Sequence, residues 1–175
     1  MTMSNLYDNL EQDNVQNIQS QVESNAKKMD NIVADIIAPY CRDLDAYVNF
    51  VRDCLKDGDR PASNQELEDF CMNLSTYIYY ASGVVETLGI RDDISKAIWK
   101  EMYHSTRNST MSGTVADKDS VAELASQQEQ LTNICYNRAY RIMKAKVDSA
   151  QELLQSAKKV LSHRMQEMEL TKLGN

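Results

Sequence analysis

Apolar residues recur at three- and four-residue steps over most of the chain, the spacing of a helix that buries one face. The clearest stretch runs from residue 32 to residue 55 and is followed by Gly58, which predicts the end of the helix. Pro39 lies inside the stretch, so we expect a kink near Ala38 or a helix that restarts there. The apolar positions of this stretch are Ile32, Val33, Ile36, Ile37, Tyr40, Leu44, Tyr47, Val48, Val51 and Leu55.

A second helix is predicted after the connection DGDRPASN at 57–64, because Ser63 and Glu66 have the spacing of a capping box. We expect this helix to end at Gly89. Asp92 or Asp93 then caps a third, shorter helix that carries the only Trp, at position 99. The pattern thus predicts an acidic three-helix body over residues 29–104.

The stretch STRNSTMSGT at 105–114 has no apolar period and is predicted to be a flexible linker. From Val115 to Leu173 the chain contains neither Gly nor Pro, and Ser120 with Glu123 forms a second capping-box pattern. One helix of about 50 residues would be roughly 75 Å long. Either 115–173 breaks into a hairpin near Lys144–Asp148, or sister subunits bury its apolar seam. The absence of turn residues favours oligomerisation.

Residues 1–28 are rich in Asn and Gln, yet Val15, Ile18, Val22 and Ala26 continue the phase of the following helix. We interpret them as a polar, partly mobile helical arm whose first dozen residues are mobile. Such a helix is stable only when it lies on another surface, either its own body or another subunit.

The composition agrees with this pattern. Only 5 Gly and 2 Pro occur in 175 residues, too few for the many tight turns of a β-sandwich or barrel. We therefore predict an all-α fold, an elongated helical bundle with a long C-terminal helix or helical hairpin. The start MTMSNLYDNLEQDN lacks the features of a secretory signal, and no apolar run reaches the roughly 18 residues of a membrane span. We expect a cytoplasmic protein with reduced thiols and no membrane partner.

Catalytic patterns are scarce. The two histidines, His104 and His163, are not part of a zinc motif, and the glycines stand singly rather than in a phosphate loop. No metal, cofactor or enzymatic activity is predicted. Paired carboxylates could divide acid and base roles, but we interpret them as helix caps and solvated faces. These pairs are Asp43 with Asp45, Asp92 with Asp93, and Asp117 with Asp119.

The run Thr76-Tyr77-Ile78-Tyr79-Tyr80 offers aromatic faces on which single-stranded bases could stack. The alternative, which we favour at this point, is that Tyr77 and Tyr80 pack in the core while Tyr79 points to solvent.

Charge is unevenly distributed. The chain carries a net charge of -7, but residues 138–175 contain 8 basic and 4 acidic side chains, a net +4. Arg141, Lys144, Lys158 and Lys159 fall opposite the apolar stripe of the last helix and could follow a phosphate backbone. Lys146 and Arg164 fall inside the apolar arc, where they either snorkel or mark the end of the straight helix. An ordinary solvated face, with Asp148 and Glu152 interspersed, is the alternative.

The C-terminal half, and above all the segment KKVLSHRMQEM, resembles tailed-bacteriophage proteins, in particular recombination mediators of the UvsY type. The resemblance covers residues 115–170. It implies a helical oligomer that binds single-stranded DNA and helps to load a recombinase onto strands coated by single-strand-binding protein. By position it implies DNA contacts at Arg138, Arg141, Lys144, Lys158, Lys159 and Arg164.

We therefore expect a non-enzymatic, phage-encoded homo-oligomer that binds single-stranded DNA and assists recombination or replication. Its partners would be itself, single-stranded DNA, and a recombinase or single-strand-binding protein. The alternative is a helical interaction adaptor or structural assembly subunit without DNA binding. A third interpretation, an acidic inhibitor of a host protein, rests only on the negative charge of residues 1–137.

Overall fold

The computed structural model describes the backbone of residues 3–56, 58 and 60–173, and the side chains of residues 14–56, 58 and 60–172. Within these ranges the chain is helical and contains no strand. The helices are α1 (Met3–Lys56), α2 (Asn64–Ser109), α3 (Val115–Ala125) and α4 (Gln127–Leu173). The predicted all-α bundle with a long C-terminal helix is confirmed.

α2 and α4 are antiparallel neighbours along almost their whole length. Near one end Asn64 contacts Met168, and further along α2 the ring of Tyr140 lies against Gly89. α1 runs parallel to α4 and covers the α2–α4 pair only with its second half, from about Met29 onward. α3 packs mainly on the last turns of α2. The molecule is therefore a three-helix bundle at one end and a two-helix pair with α3 at the other.

The core is a continuous stripe of apolar side chains shared by α1, α2 and α4. α4 contributes small residues at its closest approach, with Ala139, Ala150 and Ala157 fully buried. Larger side chains from α1 and α2 fill the space over them, at heptad-like spacing. These larger buried residues include Val33, Leu44, Val51, Leu67, Leu74 and Leu88.

α1 ends at Lys56, just before Gly58, as predicted. The helix continues through Ala38 and Pro39, so it does not restart there. Pro39 is on the exposed side, while Ile37 and Cys41 on either side of it are buried in the core. This packing holds the two segments in one helix despite the lost backbone hydrogen bond.

The predicted start of α2 is confirmed. The Ser63 hydroxyl accepts from the Glu66 N–H, and the Glu66 carboxylate accepts from the Ser63 N–H at 2.7 Å. The hydrogen bonds from the Ser63 backbone and side chain lower the pKa of Glu66 below its ordinary value.

The predicted end of this helix at Gly89 is wrong, and so is the separate third helix in residues 29–104. α2 continues through Gly89 to Ser109. A Cβ at Gly89 would lie 3.4 Å from the Tyr140 ring, an ordinary van der Waals distance, so α4 packs directly against this position. Asp92 does not cap a helix; it accepts hydrogen bonds from Asn133 and Asn137 of α4. These contacts with α4 offset the roughly 1 kcal/mol that a glycine costs inside a helix.

The connection between α2 and α3 is shorter than the predicted linker at 105–114, because residues 105–109 are helical. Arg107 and Tyr103 bind the Asp119 carboxylate and tie the end of α2 to α3. Gly113 adopts φ +104°, a left-handed conformation that turns the chain into α3. The capping box that begins α3 is Thr114 with Asp117, not the predicted Ser120 with Glu123.

Residues 115–173 form neither one helix nor a hairpin. The break lies at Ser126, and α4 passes through Lys144–Asp148 without interruption. Ser126 is buried, and its hydroxyl donates to the Ala122 carbonyl. The same bond occurs inside uninterrupted stretches of α2 and α4, at Ser75, Ser82 and Thr132 for example, so it does not by itself produce the break.

Residues 3–28 are helical as part of α1, as predicted for the arm. The prediction that its first dozen residues are mobile falls on residues whose side chains lie outside the part that the structure describes.

The packing predicts that alanine substitutions two positions apart on α2 change the free energy of unfolding by very different amounts. Leu74→Ala removes a fully buried side chain and should lower the free energy of unfolding by about 2–5 kcal/mol. Met72→Ala, at an exposed position of the same helix, is the control and should change it by less than about 0.5 kcal/mol. Urea denaturation followed by circular dichroism measures both. Equal effects would contradict the assignment of the core.

Candidate nucleic-acid interface

The six cations implied by the resemblance lie on α4, but the structure divides them into two groups. Arg138 and Arg164 face α1 and the α1–α2 connection. The Arg138 guanidinium lies 3.9 Å from the Asp30 carboxylate, and Arg164 donates a hydrogen bond to the Ala62 carbonyl oxygen. Arg164 thereby holds the connection that precedes α2, and this contact occupies a donor that would otherwise be available to a ligand.

Lys146, which the sequence placed inside the apolar arc, has a comparable role. Its ammonium group lies 2.5 Å from the Asp45 carboxylate in a partly buried ion pair between α4 and α1. The aliphatic part of such a side chain packs on the core while its charge reaches a partner. α4 remains helical at both Lys146 and Arg164, so neither residue marks the end of the helix.

The other four cations, Arg141, Lys144, Lys158 and Lys159, are exposed on the side of α4 that faces away from α1. We call them the basic ridge. Within the part of the chain that the structure describes, none of them forms an ion pair within 4.0 Å. Asp148 and Glu152 lie between them on the same helix and reduce the net charge at the middle of the ridge.

A shallow groove of about 950 Å³ runs beside the ridge, between α4 and the first half of α2. Lys159 of the ridge lines this groove together with Tyr79 of α2 and the amides of Gln151 and Gln155. Asp148 and Glu152 also line it, so the groove is polar and carries both signs of charge. It brings a ridge cation, an aromatic ring and hydrogen-bonding amides to one surface.

The tyrosines at this groove are more exposed than the preferred sequence interpretation expected. Tyr77 packs on Tyr47, with ring centroids 5.0 Å apart, as predicted. Tyr79 is 75% exposed, also as predicted, but Tyr80 is 69% exposed rather than packed. The Tyr79 and Tyr80 rings form an edge-to-face pair with centroids 5.4 Å apart. Tyr80 lies well off the buried stripe of α2, which runs through Leu74, Ile78 and Ala81, so its exposure agrees with its helical phase.

The ridge and the groove can supply two complementary interactions. Exposed Lys and Arg side chains bind phosphates without regard to sequence, and exposed tyrosine rings stack on bases. An extended single strand presents both groups at once, whereas a duplex keeps its bases stacked inside.

Other candidate chemistry is taken up by structural contacts. Burial raises the pKa of the Cys41, Cys71 and Cys135 thiols above the ordinary value, which disfavours the nucleophilic thiolate. At least one carboxylate of each pair considered above binds a protein group: Asp45 binds Lys146, and Asp92 binds the amides of α4. In the third pair, Asp117 caps α3 and Asp119 binds Arg107.

No three His, Cys, Asp or Glu side chains come together as a metal site among the described residues. Over the same part of the chain, no helix has both the length and the apolar character needed to cross a membrane.

Comparison of the chain with protein-family models, with curated proteins and with solved structures finds no match to any of them. Function is therefore inferred from the residues and their arrangement.

The division of the cations predicts different effects on stability for two lysines of α4 that lie two residues apart. Lys146→Met leaves the partly buried Asp45 carboxylate without its partner and should lower the free energy of unfolding by about 1 kcal/mol. Lys144→Met is the control, because Lys144 is exposed, and should change it by less than about 0.5 kcal/mol. If urea denaturation ranks the two variants in the opposite order, the Asp45–Lys146 pair does not stabilise the bundle.

Proposed function

We propose that this protein is a non-enzymatic, self-associating helical protein that binds single-stranded DNA along the basic ridge and assists recombination or replication. The observation that carries the proposal is the placement of Tyr79 and Lys159 in one exposed groove, beside cations that form no ion pair in the described part of the chain. The resemblance to phage recombination mediators supports it further. On that basis, a recombinase or a single-strand-binding protein would be its partner in the cytoplasm of the infected cell.

Electrostatics limits where the DNA can lie. The first 137 residues carry an excess of acidic side chains, and they repel phosphates. The ridge is the surface where basic residues predominate, and its cations do not have to break an existing ion pair to bind a phosphate. The affinity of one copy would be modest, because Asp148 and Glu152 lie between the cations. Several ridges in one oligomer would bind a long strand more tightly.

Charge reversal on the ridge tests the proposal. Lys158→Glu with Lys159→Glu should lower the affinity for a labelled oligonucleotide by about tenfold or more at low salt. It should also reduce the dependence of log K on log salt by about 0.7 for each phosphate that the variant no longer binds. Fluorescence anisotropy at two salt concentrations measures both quantities.

The matched control is Arg42→Glu with Lys56→Glu, which makes the same change in net charge on exposed positions of α1. If both double variants lose affinity equally, net charge rather than the ridge governs binding. If the unmodified protein does not bind near physiological salt, the DNA-binding proposal is wrong.

The tyrosine in the groove makes a separate prediction. Tyr79→Ala should weaken binding of single-stranded DNA roughly 5- to 100-fold, the loss expected for one base-stacking ring. Its effect should persist at high salt, because stacking is not screened as phosphate contacts are. Tyr40→Ala, on α1, is the control and should leave binding unchanged. Equal effects of the two variants would show that Tyr79 does not contact the DNA.

A second candidate function, a helical assembly subunit without DNA binding, is favoured by a different observation. Isoleucine and valine side chains are exposed along residues 15–32 of α1 and the second half of α2, and apolar residues exposed along one face are typical of an association surface. Light scattering alongside the DNA titration separates the two functions. An oligomer that fails to bind DNA supports the second candidate.

A further inference from the structure

The segment of α1 from Asn14 to Lys28, which we call the apolar arm, extends from the bundle with every side chain exposed. Its apolar residues nevertheless lie on one face. Met29 packs on the core, and Val22 and Val15 lie one and two heptads before it in sequence. Ile18 lies on the same face, between Val15 and Val22. Ile18 is 60% exposed and Val22 61% exposed. The face with which α1 contacts α2 and α4 thus continues into the arm, where its side chains are exposed and lie outside the core.

The surface of α2 and α4 that receives α1 also continues past the end of the three-helix bundle. Ser95 lies one heptad after the buried Leu88 on α2, and on α4 Thr132 and Tyr136 lie one heptad before the buried Ala139 and Met143. These residues line a groove of about 300 Å³ that we call the open groove. It is also lined by Arg91, Ile94, Ile98, Gln128 and Glu129.

The open groove has an apolar wall, and one carboxylate among its lining residues has an oxygen without a hydrogen-bond partner in the described part of the chain. Ile94 is 54% and Ile98 51% exposed, at successive turns of α2. One carboxylate oxygen of Glu129 is buried without a hydrogen-bond partner. A buried carboxylate oxygen without a donor costs free energy. Of the arm's polar side chains, the Gln19 and Asn25 amides flank the apolar face and can donate hydrogen bonds to groups of the groove.

We propose that the apolar arm of one copy lies in the open groove of a second copy, and that the second copy's arm lies in the groove of the first. The two surfaces are continuations of one interface within each chain, yet they do not meet within that chain. A two-fold dimer brings both pairs together, with the same contact made twice. The inference rests on the self-association in the proposed function and does not depend on DNA binding.

Complementation between two variants tests the exchange. Ile18→Asp alters the arm and leaves the groove intact, whereas Ile98→Asp alters the groove and leaves the arm intact. Each variant alone should raise the dimer dissociation constant roughly thirtyfold or more, because a charge replaces an apolar side chain in the contact. An equimolar mixture should recover part of the dimer, since a mixed pair keeps one unaltered arm and one unaltered groove. Sedimentation velocity measures all three samples.

The control is Ser20→Asp, on the opposite face of the arm, which should leave the dimer unchanged. If Ile98→Asp dimerises normally while Ile18→Asp does not, the arms pair with each other and the groove proposal is wrong. If the mixture recovers no dimer, the two surfaces are not partners. A monomeric unmodified protein would overturn self-association itself, which distinguishes that failure from a failure of the exchange alone.

Photocrosslinking locates the contact directly. A benzoylphenylalanine in place of Val22 should form crosslinks to residues of the open groove, and the same probe in place of Ser20 should not. A mixture of isotopically labelled and unlabelled copies shows by mass spectrometry whether each crosslink joins two copies. Crosslinks confined to single copies would mean that the arm folds onto its own groove and would overturn the proposal.

Discussion

The structure depends on the antiparallel contact between α2 and α4. These two helices stay in register from the Asn64–Met168 contact at one end to the hydrogen bonds between Asp92 and the Asn133 and Asn137 amides near the other. The small residues of α4 allow close approach, since Ala139, Ala150 and Ala157 are fully buried. Everything else is arranged on this pair: α1 covers one half of it, and α3 packs on its far end.

Both proposed surfaces follow from the incomplete cover that α1 gives to this pair. On the side of α4 away from α1, the basic ridge and its groove remain open to solvent, with Tyr79 and Lys159 together. On the side toward α1, the core stripe runs on past the point where α1 leaves the bundle, which exposes Ile94 and Ile98. One surface is polar and charged and suits a nucleic acid strand, whereas the other is apolar and suits a helix.

Local sequence patterns predicted one helix start correctly and another incorrectly. The capping box of Ser63 and Glu66 needs only four consecutive residues, so it is recognisable without tertiary contacts. The pattern of Ser120 and Glu123 looked equally good, but the structure uses Thr114 and Asp117, next to the left-handed Gly113. Gly89 likewise looked like a helix end. It instead lies inside α2 against the ring of Tyr140, which is 51 positions away in sequence and approaches it only when α4 packs on α2.

The sequence by itself determined the helical class, the apolar stripes and the concentration of positive charge in the last helix, because each is a property of composition and period. Only the tertiary structure decided which cations are available. Arg138, Lys146 and Arg164 contact groups of α1 or of the connection after it, while Arg141, Lys144, Lys158 and Lys159 face solvent. The physical reason is that a helical period gives the direction of each side chain around its own axis. It does not give the position of the neighbouring helix or the point at which that helix ends.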